Sequence, residues 1–283
     1  MKYNDVINTL NKYNISPKKY LGQNFLIDDN ITKNIVNSSN INKDINVIEI
    51  GPGLGALTSY LSEASNKVLC YEVDNDMINI LNDKFKDSNV IIKNKDFLEA
   101  DINKDIKEYF DNKDIYIVAN LPYYITTPIL LKVLEETNNI KQITIMIQKE
   151  VANRLCGNVS TKEYNALSVL IQYYTNPKIL FNVNSSSFYP RPDVDSSVVL
   201  IKYYENLPYV ADDEEFFKNF NRNIFKMRRK TLMNNLKNSY NISKEKLNEF
   251  FIDNDLNLNI RSEELKVQEI VALANNFKKY CEG

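Results

Sequence analysis

The chain has 283 residues, 43% hydrophobic and 25% charged, with a net charge of −2 and a sequence pI of about 5.5. This is an ordinary globular composition, long enough for one large domain and a small one, and its acidic balance, taken globally, argues against a nucleic-acid binder. There is no histidine, which excludes a Ser-His-Asp triad and removes the commonest general base and the commonest metal ligand.

No uninterrupted apolar run approaches the roughly 20 residues that a membrane span requires, and the N-terminal Met-Lys-Tyr-Asn-Asp lacks a signal-peptide core. Cys70, Cys156 and Cys281 are widely spaced and odd in number, so neither a disulfide framework nor a zinc cluster is expected. The expectation is a cytoplasmic protein with no membrane contact and no metal.

Val6, Ile7 and Leu10 give Tyr3 to Tyr13 the pattern of a short amphipathic helix. Pro17 and Gly22 then predict an extended segment up to Asp28, before a helix near Ile31 to Val36 that Asp28 or Asp29 can cap. Next comes Val-Ile-Glu-Ile-Gly-Pro-Gly-Leu-Gly-Ala-Leu-Thr, residues 47–58, which holds Gly51, Gly53 and Gly55, three of the six glycines in the chain. A β-rich run leads in and a helical run leads out, the pattern of a strand, a tight turn and a helix. Glycines at such a turn let the backbone approach a ligand closely, and the following helix start offers free N–H groups to it.

Lys67 to Val73 reads as a second strand. Glu72, at its end and 21 residues beyond Gly51, is placed to grip a ribose hydroxyl; Asp74 suits an N-cap of the helix holding Met77, Ile78 and Leu81. After a third strand, Asn89 to Ile92, Asp96 has a capping-box spacing to Glu99 and is also a cofactor candidate. A fourth strand, Ile115 to Ala119, runs into Asn120-Leu121-Pro122-Tyr123-Tyr124; a helix covers Ile129 to Leu134 and a fifth strand Ile143 to Ile147. Such alternation predicts a parallel, doubly wound sheet, with Gly51, Glu72, Asp96 and Asn120 all at the strand ends where ligands bind. Glu163 to Tyr174 reads as a helix. Ile179 to Val183 and Ser196 to Tyr203 read as an antiparallel edge hairpin around Phe188-Tyr189-Pro190-Arg191-Pro192, and Leu207 to Glu215 as a linker to a helical remainder. The expected domains are therefore 1–206 and 207–283.

Phe216 to Lys237 departs from the acidic balance: it holds Lys218, Arg222, Lys226, Arg228, Arg229, Lys230 and Lys237 and no acid. Lys218, Arg222, Lys226 and Lys230 step by four and are expected to share one helix face, with Phe217, Phe220, Ile224 and Leu236 as core. A one-signed face of this kind suits a polyanion.

Gly51, Gly53 and Ala56 satisfy a dinucleotide fingerprint only loosely. The order Glu49-x-Gly51-x-Gly53-x-Gly55 resembles instead the first motif of S-adenosylmethionine-dependent methyltransferases, and Asn120-Leu121-Pro122-Tyr123 resembles the motif of enzymes that methylate exocyclic base amines. The residue types suit that chemistry. The N6 lone pair of adenine is delocalised into the ring, and the Asn120 side-chain oxygen with a backbone carbonyl near Leu121 can accept both N–H bonds and favour a pyramidal nitrogen. Tyr123 can stack on an extruded base, and Phe188 can cover its other face.

Several further stretches look like the bacterial small-subunit ribosomal RNA adenine dimethyltransferase family: Lys19 to Leu26, Asn120 to Leu130, Gln148 to Val151, Phe188 to Ser196 and Phe225 to Leu232. The likeness spans nearly the whole chain. It implies a Rossmann-like methyltransferase sheet with a small all-α C-terminal domain, and dimethylation of N6 of two adjacent adenosines in the 3′-terminal hairpin loop of 16S rRNA. It also implies cofactor contacts at Asn24, Leu26, Gly51, Glu72, Asp96 and Asn120, beside Gly53 of the glycine turn. RNA contacts are expected at Lys226, Arg228, Arg229 and Lys230. The partner is 16S rRNA in an immature small subunit, met by a monomer. Asn165 stands where the family pattern usually has glycine, which puts the local backbone in doubt. Competing readings are a 23S rRNA adenine methyltransferase of the macrolide-resistance type, a ribosome-assembly binding factor and, at a distance, a nicotinamide dehydrogenase. Leu121, the Ile125-Thr126-Thr127-Pro128 continuation and the acidic pI favour the small-subunit enzyme.

Overall fold

The structure, a computed structural model, describes residues 1–282 apart from 112 and 138. Helix α1 (Tyr3–Lys12) buries Val6 and Leu10, four residues apart on one face. A short strand β1 (Phe25–Leu26) leads to α2 (Asp29–Ser38), whose N-cap Asp28 accepts from the Asn30 N–H. The chain then alternates through β2 (Ile45–Ile50), α3 (Ala56–Ala64), β3 (Lys67–Glu72), α4 (Asn75–Phe85), β4 (Val90–Asn94), α5 (Ile102–Tyr109), β5 (Asp114–Asn120), α6 (Thr126–Glu136) and β6 (Ile140–Gln148). Helices α7 (Lys149–Leu155) and α8 (Ala166–Tyr174) precede β7 (Thr175–Val183), β8 (Phe188–Tyr189) and β9 (Ser196–Tyr203). Four helices follow: α9 (Glu214–Ile224), α10 (Leu232–Tyr240), α11 (Lys244–Asp253) and α12 (Val267–Glu282).

Seven strands form one sheet in the order β4-β3-β2-β5-β6-β9-β7. The β3–β4, β2–β3, β2–β5 and β5–β6 pairs are parallel, and β9 is antiparallel to β6. Every residue of β2 is buried, as a central parallel strand covered on both faces requires. The chain moves outward from β2 to β4, then returns beside β2 and moves the other way through β5 and β6. The strand order thus reverses between β2 and β5, where doubly wound sheets open a crevice.

A second, two-stranded sheet pairs β1 with β8, Phe25 opposite Tyr189 and Leu26 opposite Phe188. Neither strand was expected: each is only two residues long, too short for a period-2 pattern to show.

Two compact units emerge from the packing: Met1–Ala152 with Lys178–Tyr203, and Asn153–Pro177 with Tyr204–Gly283. This differs from a single cut after residue 206, because residues 153–177 pack with the C-terminal helices. Tyr173 of α8 lies 4.6 Å, ring to ring, from Phe217 of α9, and the Asn221 amide donates to the Ala166 carbonyl at 2.8 Å. Elsewhere in that unit Phe277 of α12 gathers Phe220, Tyr240 and Phe250 at centroid distances of 5.4, 4.9 and 5.1 Å.

Helix α8 starts three residues later than the expected Glu163. Asn165 caps it, accepting from the Leu167 N–H at 2.9 Å while its own N–H donates to Ser168 Oγ at 3.0 Å. Asn165 has φ −159°, extended backbone open to any residue, so the absence of glycine costs no strain there.

Candidate active site

Within the first unit, a cleft of about 270 Å³ opens at the carboxyl ends of the central strands. It gathers all the expected cofactor residues (Asn24, Leu26, Gly51, Gly53, Glu72, Asp96 and Asn120) and all the expected catalytic ones, Leu121, Pro122, Tyr123 and Phe188 with Asn120. Gly51 follows β2 and Asn120 ends β5, so the two flank the point where the strand order reverses.

Two glycines of the turn differ in role. Gly51, at φ +68°, faces the cleft, and a Cβ there would stand 3.8 Å from Pro122, in the gap between the glycine turn and the Asn120–Pro122 loop. Gly55, at φ +71°, makes room for packing: a Cβ there would come within 2.7 Å of the Phe85 ring and 3.0 Å of Leu81. It precedes α3, which begins without a side-chain cap.

Glu72 is 6% exposed, and its carboxylate accepts three backbone N–H bonds: Gly53 at 3.1 Å on one oxygen, Val73 at 2.9 Å and Asp74 at 3.0 Å on the other. Burial nevertheless holds its pKa above the ordinary carboxylate value, against the pull of those donors. Behind it, Glu49 is 1% exposed and faces Cys70 across the β2–β3 register, the thiol donating at 3.6 Å. Burial pushes Glu49 up to about 7 and Cys70 well above its usual range. Asp96 caps the short 3₁₀ turn Phe97–Glu99, accepting from the Leu98 N–H at 2.8 Å, and still lines the cleft. The capping role is thus seen directly, and the place in the cleft keeps Asp96 a candidate cofactor ligand.

Asn120 donates through Nδ2 to the Asn24 carbonyl at 3.4 Å, which leaves its Oδ1 available as an acceptor. Leu121 is buried and its N–H donates to the Met146 carbonyl at 3.1 Å, fixing the loop to β6. Tyr123 is half-buried with its hydroxyl 2.7 Å from Ser196 Oγ. Phe188 is only 3% exposed and belongs to the apolar cluster of Leu26, Ile35, Val36 and Val183 while touching the cleft. Its strand pairing with Leu26 makes it a core residue as well as a lining one, within the stretch expected as a proline-rich loop.

Among the cleft residues that sequence reasoning did not single out, two stand out for their exposure. Val73 and Tyr124 both line it and are 43% and 57% exposed, unusually open for their types. Their adjacency to Glu72 and Tyr123 was the available signal.

In the second unit the basic stretch is a turn, not one continuous helix face. Helix α9 stops at Ile224 and α10 starts at Leu232, so Lys226, Arg228, Arg229 and Lys230 lie between them, all exposed. The cause is local. Thr231 caps α10, accepting from the Asn234 N–H, and the buried Asn235 amide accepts from the Met227 N–H at 2.9 Å and donates to its carbonyl at 3.2 Å. Lys218 is paired with Glu215 at 2.9 Å, and Arg228 donates to the Lys162 carbonyl with its Nε 3.9 Å from Glu263. Among the described residues, Lys226, Arg229 and Lys230 have no carboxylate within ion-pair distance.

Comparison with known proteins agrees with this geometry. The family model for ribosomal RNA adenine dimethylase matches residues 14–278. A protein of Bacillus pumilus named ribosomal RNA small subunit methyltransferase A is 44% identical over 275 residues, covering 95% of this chain and 94% of its own. The protein of that name from Clostridium botulinum is 44% identical over 268 residues, covering 94% and 96%. Among solved structures, a dimethyladenosine transferase from Plasmodium falciparum matches with a TM-score of 0.74 at 24% identity, covering 91% of this chain and 98% of its own. A 23S rRNA methyltransferase matches at 0.70 and 21%, covering 90% and 100%; at such identities the likeness establishes the fold alone. No helix among the described residues is long and apolar enough to cross a membrane. With its family model matched almost end to end and relatives above 40% identity, the chain belongs to the ribosomal RNA adenine dimethylase family.

Proposed function

We propose that this protein dimethylates N6 of two adjacent adenosines in the 3′-terminal hairpin loop of 16S rRNA, working in the cytoplasm on an immature small subunit as a monomer without a metal. The observation that carries this reading is the meeting, in one cleft, of the Gly51–Gly53 turn, the carboxylates of Glu72 and Asp96, and the Asn120–Tyr123 loop. The small-subunit relatives at 44% identity favour 16S over 23S rRNA as substrate.

The residues fit S-adenosylmethionine. The gap that a Cβ on Gly51 would enter gives a bulky cofactor room beside the backbone. Glu72 and Asp96 offer acceptors for ribose hydroxyls and an adenine amine, and the open Val73 side chain offers an apolar surface to a flat ring. When bound, the cofactor supplies an electrophilic methyl group on a sulfonium. Everything else is positioning. Asn120 Oδ1, left free by the bond from Nδ2 to Asn24, accepts one N–H of the target amine, and a carbonyl near Leu121 accepts the other. Tyr123, anchored at its hydroxyl by Ser196, presents a ring held in place for an unstacked base. No histidine is required, because the proton of the methylated amine can pass to water.

The exposed turn at Lys226, Arg229 and Lys230 supplies phosphate contacts, so that RNA binding rests on the helical unit despite the acidic total. Mass mapping of rRNA incubated with the protein and labelled S-adenosylmethionine tests the reading: dimethyladenosine at two adjacent positions of 16S rRNA supports it, and modification of 23S rRNA alone refutes it.

A further inference from the structure

Between α1 and β1 the chain crosses the mouth of the cleft as a strap with little regular structure, a single 3₁₀ turn at Lys19–Leu21. Leu21, Gly22, Gln23 and Asn24 of this strap line the cleft. What fixes it is a closed set of side-chain bonds. The Lys18 N–H donates to Gln23 Oε1 at 2.8 Å, which ties the two ends of the turn together. Lys18 Nζ donates to Asp74 Oδ1 at 2.5 Å and to Asp76 Oδ2 at 2.6 Å, and Gln23 Nε2 donates to Asp74 Oδ2 at 2.7 Å.

Asp74 is 3% exposed. Burial raises its pKa, but the bonds from Lys18 and Gln23 outweigh burial and hold it below the usual range, while the two carboxylates raise that of Lys18. The Asp74 N–H donates to Glu72 Oε1, and Glu72 Oε2 accepts from the Gly53 N–H. A continuous path of hydrogen bonds therefore runs from the strap through Asp74 and Glu72 to the glycine turn, joining one wall of the cleft to another. The Lys18 bonds are charge-assisted, the strong kind, and they hold an otherwise loosely built segment in the conformation that forms the site.

We propose that Lys18 and Gln23, clamped on Asp74, are positioning residues for S-adenosylmethionine: they lock residues 19–24 across the cleft and couple that strap to Glu72 and the glycine turn. The inference rests on the cofactor occupying this cleft. Neither side chain needs to touch it. Their contribution is preorganisation, since a strap already held in place has less freedom to lose on binding.

The test uses the full chain with S-adenosylmethionine as the probe. Lys18→Met should weaken its binding by about 10- to 100-fold, the equivalent of one charge-assisted hydrogen bond. KM for the cofactor should rise in step while kcat at saturation stays within about threefold of wild type. Lys18→Arg, which can still reach both carboxylates, should recover most of the affinity, and Gln23→Met should act in the same direction as Lys18→Met. Chymotrypsin should cut after Tyr20, which is 76% exposed, faster in Lys18→Met than in wild type at a temperature well below both thermal midpoints. Wild-type affinity and wild-type cleavage in both Lys18→Met and Gln23→Met would overturn the inference alone. A wild-type protein that fails to bind S-adenosylmethionine would overturn the cofactor reading and the inference with it.

Discussion

Glu72 at the end of β3 accepts a hydrogen bond from the Gly53 N–H at 3.1 Å, so a carboxylate that lines the cleft also braces the glycine turn of the neighbouring strand. Removing it does two things at once. Glu72→Ala should weaken S-adenosylmethionine binding by about 1.5–3 kcal/mol, the scale of a charge-assisted hydrogen bond. Glu72→Gln keeps one acceptor for the backbone donors and should lose less. Calorimetry on both folded variants checks this, and equal affinity in all three proteins would remove Glu72 from the site.

Glu49 gives the fold a pH dependence of known sign. Its carboxyl is raised from an ordinary 4.5 to about 7 by burial, so between those values the folded state holds a proton that the unfolded state releases. Its effect is absent below about 4.5, and stability falls as pH rises, until the full penalty of about 3 kcal/mol is present above about 7. Glu49→Gln, neutral at every pH, should flatten that slope and be the more stable protein at pH 8. Denaturant melts of both proteins at about pH 5 and pH 8 measure it, and parallel slopes would contradict the argument.

Lys226, Arg229 and Lys230 changed together to alanine should weaken rRNA binding and flatten its salt dependence, each lost phosphate contact removing nearly one unit from the log–log slope. S-adenosylmethionine affinity should hold. Arg228 is left out of this variant because it already serves Glu263 and the Lys162 carbonyl. An unchanged slope would make the turn an ordinary solvated surface.

Phe188 carries two burdens. Packed in the core at 3% exposure, it should cost about 3–5 kcal/mol of stability on change to alanine, so loss of activity in that variant says little about the base. Phe188→Leu separates the roles: it keeps most of the apolar volume and loses the aromatic face. It should fold, bind S-adenosylmethionine and methylate poorly, since stacking is worth about 1–3 kcal/mol per base. Normal methylation by Phe188→Leu would confine the residue to the core.

The parallel sheet was legible because its strands are β-rich, mostly apolar runs that each end in a glycine or polar residue, as β2 does at Gly51 and β5 at Asn120. The cleft was legible for the same reason: doubly wound topology sends those ends to one rim. What escaped was structure set by long-range pairing or by a single buried polar side chain. Two-residue strands such as β1 and β8 have no local signature. The break between α9 and α10 depends on Asn235 bonding both backbone groups of Met227, which the four-residue spacing of the cations concealed. The Thr231 cap was the one local sign of it. The strap anchored by Lys18 was equally hidden, because two lysines beside a proline read as surface until Asp74 and Asp76 are seen beneath them.

Asn120 bears the central claim, that this cleft orients an adenine amine for methyl transfer. Asn120→Ala should lower the single-turnover rate of 16S rRNA methylation by at least about 100-fold, the scale of one preorganised polar group, with rRNA affinity nearly unchanged. The measurement is methyl incorporation from labelled S-adenosylmethionine under single-turnover conditions, at saturating cofactor, for wild type and variant side by side. A rate within a few-fold of wild type, in a folded variant that still binds rRNA, would contradict the account.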